Sequence, residues 1–216
     1  MHSRIQSTEI LINALSQKKS SLKVFLCASA TGFYGDRGNE TLTELSPAGT
    51  GFLAEVVQNW EAATEPLKKS GIRVVNLRFG MILSSNGGAL KKISFPFKMG
   101  LGGIIGSGRQ FMPWILIDDV ISIIGYLLTA ETIEGPVNLT APDIVSNIEF
   151  TKILANVLNR PSFLPVPAQL LKLFLGDMAI ELLLASARVT PEKLIQSGFK
   201  FQYPTLEVAL RHIFSR

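Results

Sequence analysis

The sequence predicts an α/β fold, in which a parallel sheet alternates with helices and is followed by a small, mostly helical C-terminal cap. Compact apolar runs at 23–28, 71–78 and 137–139 lack polar alternation, which is typical of strands covered on both faces. Segments with apolar residues at helical spacing separate these runs, as in a parallel sheet with helical crossovers. The chain has 216 residues, 47% of them hydrophobic, which suffices for a sizeable core.

Charge and cysteine usage exclude several classes of function. The 21 basic and 17 acidic residues give a net charge of +4 and are scattered, so no nucleic-acid surface is expected. The single cysteine, Cys27, cannot form an internal disulfide, which fits a reducing cytoplasm. It lies far from both histidines, so no metal site is expected. The sequence shows neither a membrane-spanning apolar run nor a signal peptide, and we predict a cytoplasmic protein with no membrane partner.

The first elements place hydroxyl residues at the end of a strand. Residues 3–16 have the apolar spacing of a helix, with Ser3 as a candidate N-cap. The strand at 23–28 runs directly into the small residues and glycines of 29–35. A buried strand that ends in this way marks the edge at which an open α/β sheet presents its chemistry.

The middle of the chain predicts one further helix and a second buried strand. The helix covers 52–64, and its aromatic stripe of Phe52 and Trp60 is interpreted as core packing. The strand covers 71–78. Residues 87–101 then form a helix or a loop.

A dense group of glycines precedes the next strand. Glycines between 100 and 108 allow positive φ angles and a close approach of backbone to a ligand. The apolar run 114–117 predicts a short buried strand. Asp118 and Asp119 are placed to cap a helix that begins near Val120. We therefore expect a loop on the ligand side, then a strand and a capped helix.

The C-terminal part changes character after one more helix. Ser146 or Asn147 can cap the helix predicted at 148–158. Prolines and short apolar helices follow. We therefore divide the chain into a sheet domain at 1–158 and a helical domain at 159–216.

Several stretches resemble the extended short-chain dehydrogenase/reductase family, which includes NAD(P)-dependent sugar epimerases and dehydratases. They are ASATGFYG at the first strand end, LRFGMIL after the second strand, and GLGGIIGSGRQFMPWILIDDV. The C-terminal patterns RVTPEKL, GFKF and YPTLEVAL are similar to those of the atypical epimerase family branch, which ends in a DUF1731-type domain of unknown function. The resemblance covers essentially the whole chain. It implies a Rossmann-like doubly wound parallel sheet, present here in part.

The resemblance also implies roles for individual residues. Ser29 or Thr31 would orient the substrate oxygen, and their spacing to the tyrosine that follows does not choose between them. The residues implied to face the NAD or NADP cofactor are Arg4, Arg78, Gly80 and Ile82. The residues implied to wall the substrate pocket are Gly106, Gly108, Gln110 and Trp114.

Two departures from the family pattern bear on mechanism. The catalytic Tyr-x-x-x-Lys pair falls on Phe52 and Val56, or on Leu53 and Val57, and neither register offers a phenol or an ammonium. The arginine that holds the pyrophosphate of nucleotide sugars falls on Met112, and a thioether cannot replace a bidentate guanidinium. A nucleotide-sugar substrate is therefore not favoured.

The glycine-rich loop that binds the dinucleotide pyrophosphate does not occur near the start of the sequence. The strand at 23–28 matches the family's fourth strand, so three βα units of about 30 residues each precede it in the family. Either the chain is a fragment or late-start gene product, which we favour, or the protein never held the cofactor in the ordinary way and its first strand exposes an unpaired edge. We expect it to bind NAD or NADP weakly or not at all by itself.

Two functions follow from this resemblance. The leading one is an NAD(P)-dependent oxidoreductase or epimerase-like enzyme acting on a small carbonyl or hydroxyl substrate. The alternative is a non-catalytic dinucleotide-binding or regulatory protein of the kind labelled a cell-division inhibitor. We expect a small-molecule partner, with a homodimer as a further expectation.

Overall fold

The computed structural model describes residues 2–16, 22–162 and 184–215. Its centre is a three-stranded parallel sheet in the order β1-β3-β6. Two further parallel pairs join β4 to β5 and β2 to β7. The strands are β1 (Val24–Ala30), β2 (Thr41–Leu42), β3 (Arg73–Phe79), β4 (Met81–Leu83), β5 (Trp114–Leu116), β6 (Gly135–Leu139) and β7 (Arg188–Val189). The predicted α/β fold with a parallel sheet is confirmed.

Helices alternate with these strands, and a 3-10 turn at Thr31–Tyr34 follows β1. The helices are α1 (His2–Ser16), α2 (Phe52–Ala62), α3 (Glu65–Lys69), α4 (Gly88–Lys98), α5 (Ile117–Thr129), α6 (Asn147–Val157), α7 (Glu192–Gln196) and α8 (Leu206–Phe214). The segment left open between helix and loop is thus α4. Ser146 forms a capping box with Glu149 at the start of α6, which confirms Ser146 as its cap.

The sheet is covered on both faces, which explains the uninterrupted apolar runs of its strands. On one face β3 and β6 pack with α5 in a cluster that includes Ile123 and Leu127. On the other face Val74 packs with Ile12 of α1 and Leu67 of α3. Each of these side chains is buried, and a fully buried aliphatic side chain contributes roughly 1.5–3 kcal/mol.

The predicted cap of α5 is wrong. The helix begins at Ile117, three residues earlier than expected, and no side chain caps it. Asp119 is buried and accepts hydrogen bonds from the backbone amides of Gln202 (2.8 Å) and Tyr203 (3.1 Å). This carboxylate therefore fastens the C-terminal segment to the sheet, a tertiary role that local sequence does not reveal.

The predicted aromatic stripe of α2 is also wrong. Phe52 is 47% exposed, whereas Ala54 and Val57 form the buried side of the helix. Helix α2 is thus rotated so that small and β-branched side chains face β1 and the turn after it.

The described C-terminal residues pack closely against the earlier part of the chain. Strand β7 pairs with β2, and α8 packs on α6. The division at residue 158 stays a prediction. No helix among the described residues is long and apolar enough to cross a membrane. The same residues include no group of three His, Cys, Asp or Glu side chains that could hold a metal ion.

Candidate functional site

A cleft of about 290 Å³ opens where β1 ends and α2 begins. The carboxyl ends of parallel strands are where open α/β sheets bind their ligands. The residues that line the cleft are Thr31, Gly32, Gly35, Asp36, Thr50, Leu53, Ala54, Pro113, Leu184, Ala185 and Ala187. The walls thus come from the turn after β1, the start of α2, the glycine-rich stretch and the C-terminal segment.

Of the predicted site residues whose side chains the structure describes, Thr31 is the one that lines this cleft. Its hydroxyl donates to the carbonyl oxygen of Phe79 at 3.2 Å, which joins the turn after β1 to the end of β3. Leu53 lies on the same wall, and both Leu53 and Val57 lie close to Gly32. Of the two possible registers for the missing Tyr-x-x-x-Lys pair, the structure therefore brings Leu53 and Val57 to the strand end.

Ser29 lies outside the cleft lining, although it precedes Thr31 by only two positions. Its hydroxyl donates to Glu61 Oε1 at 2.6 Å. Arg78 donates to the same carboxylate through Nε and Nη2, both at 2.8 Å. The side chains of Arg78 and Glu61 are only 4% and 12% exposed, so this is a buried, bidentate ion pair. Ser29 is thus engaged in a structural contact.

The sheet register explains how this ion pair acquires its further partners. Ser29, Arg78 and Asn138 lie side by side across β1, β3 and β6. The guanidinium of Arg78 stacks 3.4 Å from the ring centroid of Phe33 and donates to Tyr34 Oη at 3.0 Å. Tyr34 in turn donates to Asn138 Oδ1 at 2.7 Å. We call Ser29, Glu61, Arg78, Tyr34 and Asn138 the buried network.

Burial and pairing shift the pKa values of this region. Burial raises the pKa of Tyr34, and the nearby Arg78 opposes that effect. Burial would lower the pKa of Arg78, but the hydrogen bonds and charges of Glu61 and Tyr34 together outweigh that effect, and the pKa is raised. The Tyr34 phenol therefore keeps its proton, and Arg78 keeps its charge. Neither side chain is suited to exchange a proton with a ligand near neutral pH.

Glu44 extends the buried network toward the C-terminal segment. Its carboxylate accepts from the backbone amide of Asn138 at 3.0 Å and from that of Lys193 at 3.4 Å. Burial raises the pKa of Glu44, and the backbone hydrogen bonds oppose that rise. Asn138 Nδ2 donates to the carbonyl oxygen of Thr190 at 3.0 Å. These contacts hold β7 and the residues after it against the sheet.

The four residues predicted to wall the substrate pocket are not among those that line the cleft. Gly106 lies in a turn, and a Cβ at Gly108 would come within 2.4 Å of Ile148. Gln110 is buried and donates to the carbonyl oxygen of Ile105 at 3.0 Å. Trp114 is 1% exposed and donates to the carbonyl oxygen of Asp143 at 2.9 Å. The glycine-rich stretch packs closely on α6, and its neighbour Pro113 is what reaches the cleft.

The four residues predicted to face the cofactor belong to different parts of the structure. Arg78 belongs to the buried network. A Cβ at Gly80 would lie 2.8 Å from the carbonyl oxygen of Pro113, so glycine permits the close approach of these two segments. Ile82 in β4 pairs with Ile115 and packs in the core. Arg4 lies in α1, and its side chain is outside the description.

Sequence reasoning missed the polar and C-terminal walls of the cleft. Asp36 and Thr50 lie between the first strand end and the helix predicted at 52–64, where no site residue was predicted, and Leu184 and Ala187 come from the distant C-terminal part. Ser186, between them, donates to the carbonyl oxygen of Gly38 at 2.6 Å. For the polar wall at Asp36, the sequence signal was the family-like dipeptide Tyr34-Gly35 that precedes it.

The parallel sheet and the hydroxyl-bearing turn after β1 define the NAD(P)-binding extended short-chain dehydrogenase/reductase class. Comparison with known proteins specifies the family. YfhF of Bacillus subtilis, an epimerase family protein, is 38% identical over 216 residues, covering 100% of this chain and 71% of YfhF. The chain belongs to the epimerase family. The family model described as a domain of unknown function (DUF1731) matches residues 166–213.

Solved structures agree with this assignment. The crystal structure of human epimerase family protein SDR39U1 (isoform 2) with NADPH matches with a TM-score of 0.94 and 31% identity, covering 100% of this chain and 73% of that one. A nucleoside-diphosphate sugar epimerase from Corynebacterium glutamicum matches with a TM-score of 0.81 and 37% identity, covering 97% of this chain and 41% of that one. The predicted family resemblance is therefore confirmed.

Proposed function

We propose that this protein acts as an NAD(P)-dependent oxidoreductase or epimerase-like enzyme on a small hydroxyl or carbonyl compound, with the cleft at Thr31 as its active site. The position of Thr31 carries the proposal. Its hydroxyl lines a cleft at the carboxyl end of the sheet, whereas Ser29 is engaged by Glu61. Of the two candidate hydroxyls, Thr31 is the one placed to hold a substrate oxygen.

The cleft fits the reactive end of a nicotinamide cofactor better than a whole dinucleotide. Its volume of about 290 Å³ is at the lower end of the roughly 300–1,000 Å³ found for ligand sites. Leu53, Ala54 and Pro113 supply an apolar wall for a flat ring. When bound, the nicotinamide exchanges a hydride with a carbon of the substrate. The human relative SDR39U1 was solved with NADPH, which supports the choice of cofactor.

The residues of the cleft also limit the mechanism. Thr31 would accept a hydrogen bond from a substrate hydroxyl, or would turn its own hydrogen from Phe79 to a substrate carbonyl, and the apolar wall would keep water from the reacting atoms. Leu53 and Ala54 are the residues of α2 in the described lining, so this helix offers no phenol at the cleft wall to exchange a proton. Any proton transfer must therefore use another group or solvent.

Leu53 favours a second candidate function. A cleft that binds the dinucleotide but has no phenol beside it suits a non-catalytic dinucleotide-binding or regulatory protein. The two candidates predict the same cofactor contact and differ only in turnover.

Binding of NADPH to the full chain tests the cofactor proposal. In a ¹⁵N NMR titration, NADPH and reduced nicotinamide mononucleotide should both shift the amide signals of Gly32 and Gly35. We expect weak binding of both, with a dissociation constant on the order of 1 mM. The proposal fails if neither ligand moves these signals, or if NADPH binds and moves only others.

Turnover distinguishes the two candidates. NADPH oxidation should be measured over a panel of small carbonyl compounds with the native chain, Thr31→Val and the control Thr41→Val, which changes an exposed threonine of β2. An active enzyme should lose about tenfold or more of its activity in Thr31→Val only. Binding without oxidation of any compound would instead support the non-catalytic candidate.

A further inference from the structure

The cleft carries a negative charge at one side. Among the described residues that line it, Asp36 is the charged one. Its Oδ1 accepts from the backbone amides of Gly38 and Ser186, both at 3.2 Å, which fixes the position of the carboxylate. Asp36 is exposed, and within the described ranges its Oδ2 has no hydrogen-bond partner, so this oxygen is open to water and to a ligand that donates a hydrogen bond.

The two threonines of the cleft also offer acceptor oxygens. Thr31 uses its single hydroxyl hydrogen on the carbonyl oxygen of Phe79, so its oxygen is left as an acceptor. The Thr50 hydroxyl has no partner in the part of the chain that the structure describes. Three oxygens on the walls of one small cleft thus suit a ligand with several donors.

Two described arginines are close in sequence to the residues that line the cleft. Arg37 is paired with Glu40 at 2.6 Å, while the guanidinium of Arg188 lies 5.5 Å from the ring centroid of Phe111 and its buried Nε has no hydrogen-bond partner among the described residues. The start of α2 faces the cleft, but a helix N-terminus carries only about half a positive charge, against a full negative charge on Asp36. Neither arginine is in the described lining, so an anionic group in the cleft would meet the charge of Asp36.

We propose that the cleft selects a polyhydroxylated or amino-bearing compound without negative charge, and that Asp36 is the residue that makes this selection. This inference rests on the proposed function, because it takes the cleft as the substrate site. A carboxylate that receives a hydroxyl or ammonium donor forms a charge-assisted hydrogen bond, while a phosphate at the same place would meet a like charge. The replacement of the pyrophosphate-binding arginine by Met112 agrees with this preference, since Met112 instead accepts from Asn147 Nδ2 at 3.3 Å.

Three hexoses that differ in charge test this inference on the full chain. Glucosamine, glucose and glucose 6-phosphate are titrated by ¹⁵N NMR, with the amide signals of Gly32 and Gly35 as reporters. We expect glucosamine to bind most tightly and glucose 6-phosphate most weakly. Asp36→Asn keeps an oxygen for the two amides and removes the charge, so it should weaken glucosamine binding about tenfold. The control Glu207→Gln removes one charge from an exposed ion pair with Arg211, outside the cleft lining, and should change no affinity by more than about twofold.

Each outcome bears on one claim. The selection by Asp36 is overturned if glucose 6-phosphate binds best, or if Asp36→Asn and Glu207→Gln have the same effect. If Asp36→Asn does not fold, Thr50→Val takes its place and should weaken glucose binding about threefold or more; unchanged binding would overturn the inference. NADPH is titrated on the same samples. If NADPH moves the reporter signals but glucose 6-phosphate binds best, this inference alone is refuted and the proposed function stands. If NADPH moves no signal, the proposed function is refuted.

Discussion

The buried network and the cleft lie side by side at the end of β1, and they use the same residue types in opposite ways. In the buried network, the Ser29 hydroxyl, the Glu61 carboxylate and the Arg78 guanidinium satisfy one another. In the cleft, the Thr31 oxygen and the Asp36 carboxylate keep acceptor capacity that the described residues do not use. The hydrogen-bond partners of a hydroxyl at a strand end, and not its position in the chain, therefore determine whether it serves structure or ligand binding.

The largest effect that sharpens this comparison is expected from breaking the ion pair of the buried network. Arg78→Met leaves Glu61 as a buried carboxylate without its charge partner, which should lower the free energy of unfolding by about 3–5 kcal/mol. Urea denaturation measures the change. The control Arg211→Met breaks a pair whose side chains are 59% and 50% exposed, and should cost less than about 1 kcal/mol. Equal losses in the two variants would contradict the central role given to the buried pair.

The next effect separates the two hydroxyls directly. Ser29→Ala removes a hydrogen bond to a charged group and should lower the free energy of unfolding by about 1–2 kcal/mol, without changing NADPH binding. Thr31→Val removes a 3.2 Å bond to a neutral carbonyl and should cost about 0.5–1 kcal/mol, while ligand contact at the cleft is lost. Denaturation and the NMR titration on both variants provide the two readouts. If Ser29→Ala abolished ligand contact and Thr31→Val did not, the roles given to Ser29 and Thr31 would have to be exchanged.

A smaller effect is expected from pH at Glu44. Its pKa in the folded chain is raised above 4.5 by burial, so the neutral acid is favoured by folding. The stability that this group contributes is present below pH 4.5 and is lost as the pH rises through the raised value. The free energy of unfolding of Glu44→Gln relative to the native chain should therefore increase with pH over that window. Urea denaturation at a series of pH values measures this difference, and a flat difference would show that Glu44 titrates normally.

The smallest effect concerns Cys27, which borders the buried network. Burial, and secondarily the charge of Glu61, raise the pKa of this thiol to about 11. At pH 8 the reactive thiolate is then about a thousandth of the population, so a disulfide reagent should react slowly with the folded chain and quickly in urea. Similar reaction rates in both conditions would mean that β1 opens readily in the folded chain and that the buried network does not keep this strand in place.

The fold was largely predictable, because buried strands and helical spacing are local patterns. The strands at 23–28, 71–78 and 137–139 were located to within a few residues. The misplaced features were ones that distant residues decide. Asp119 looks like a helix cap in sequence, but it binds amides 83 and 84 positions away. The rotation of α2 likewise depends on what packs against it.

The candidate site was predictable only in part. The family pattern identified the strand end but offered Ser29 and Thr31 as equals, since spacing carries no information about hydrogen-bond partners. The density of glycines suggested a ligand-binding loop. In the structure, Gly108 instead allows the stretch to pack on α6, and Gln110 bonds to Ile105 in the turn before it. Asp36 went unnoticed, because a single aspartate in a loop has no distinguishing pattern until the fold brings a C-terminal wall beside it.

The contact between Ser186 and Asp36 joins positions that are 150 residues apart. Closing so long a loop carries a large entropic cost that only contacts made late can repay. During synthesis the β1 end and α2 leave the ribosome long before their fourth wall, so the cleft exists only once nearly the whole chain has been made. A polypeptide that stops before residue 184 would lack Leu184, Ala185 and Ala187 and so could not complete the pocket.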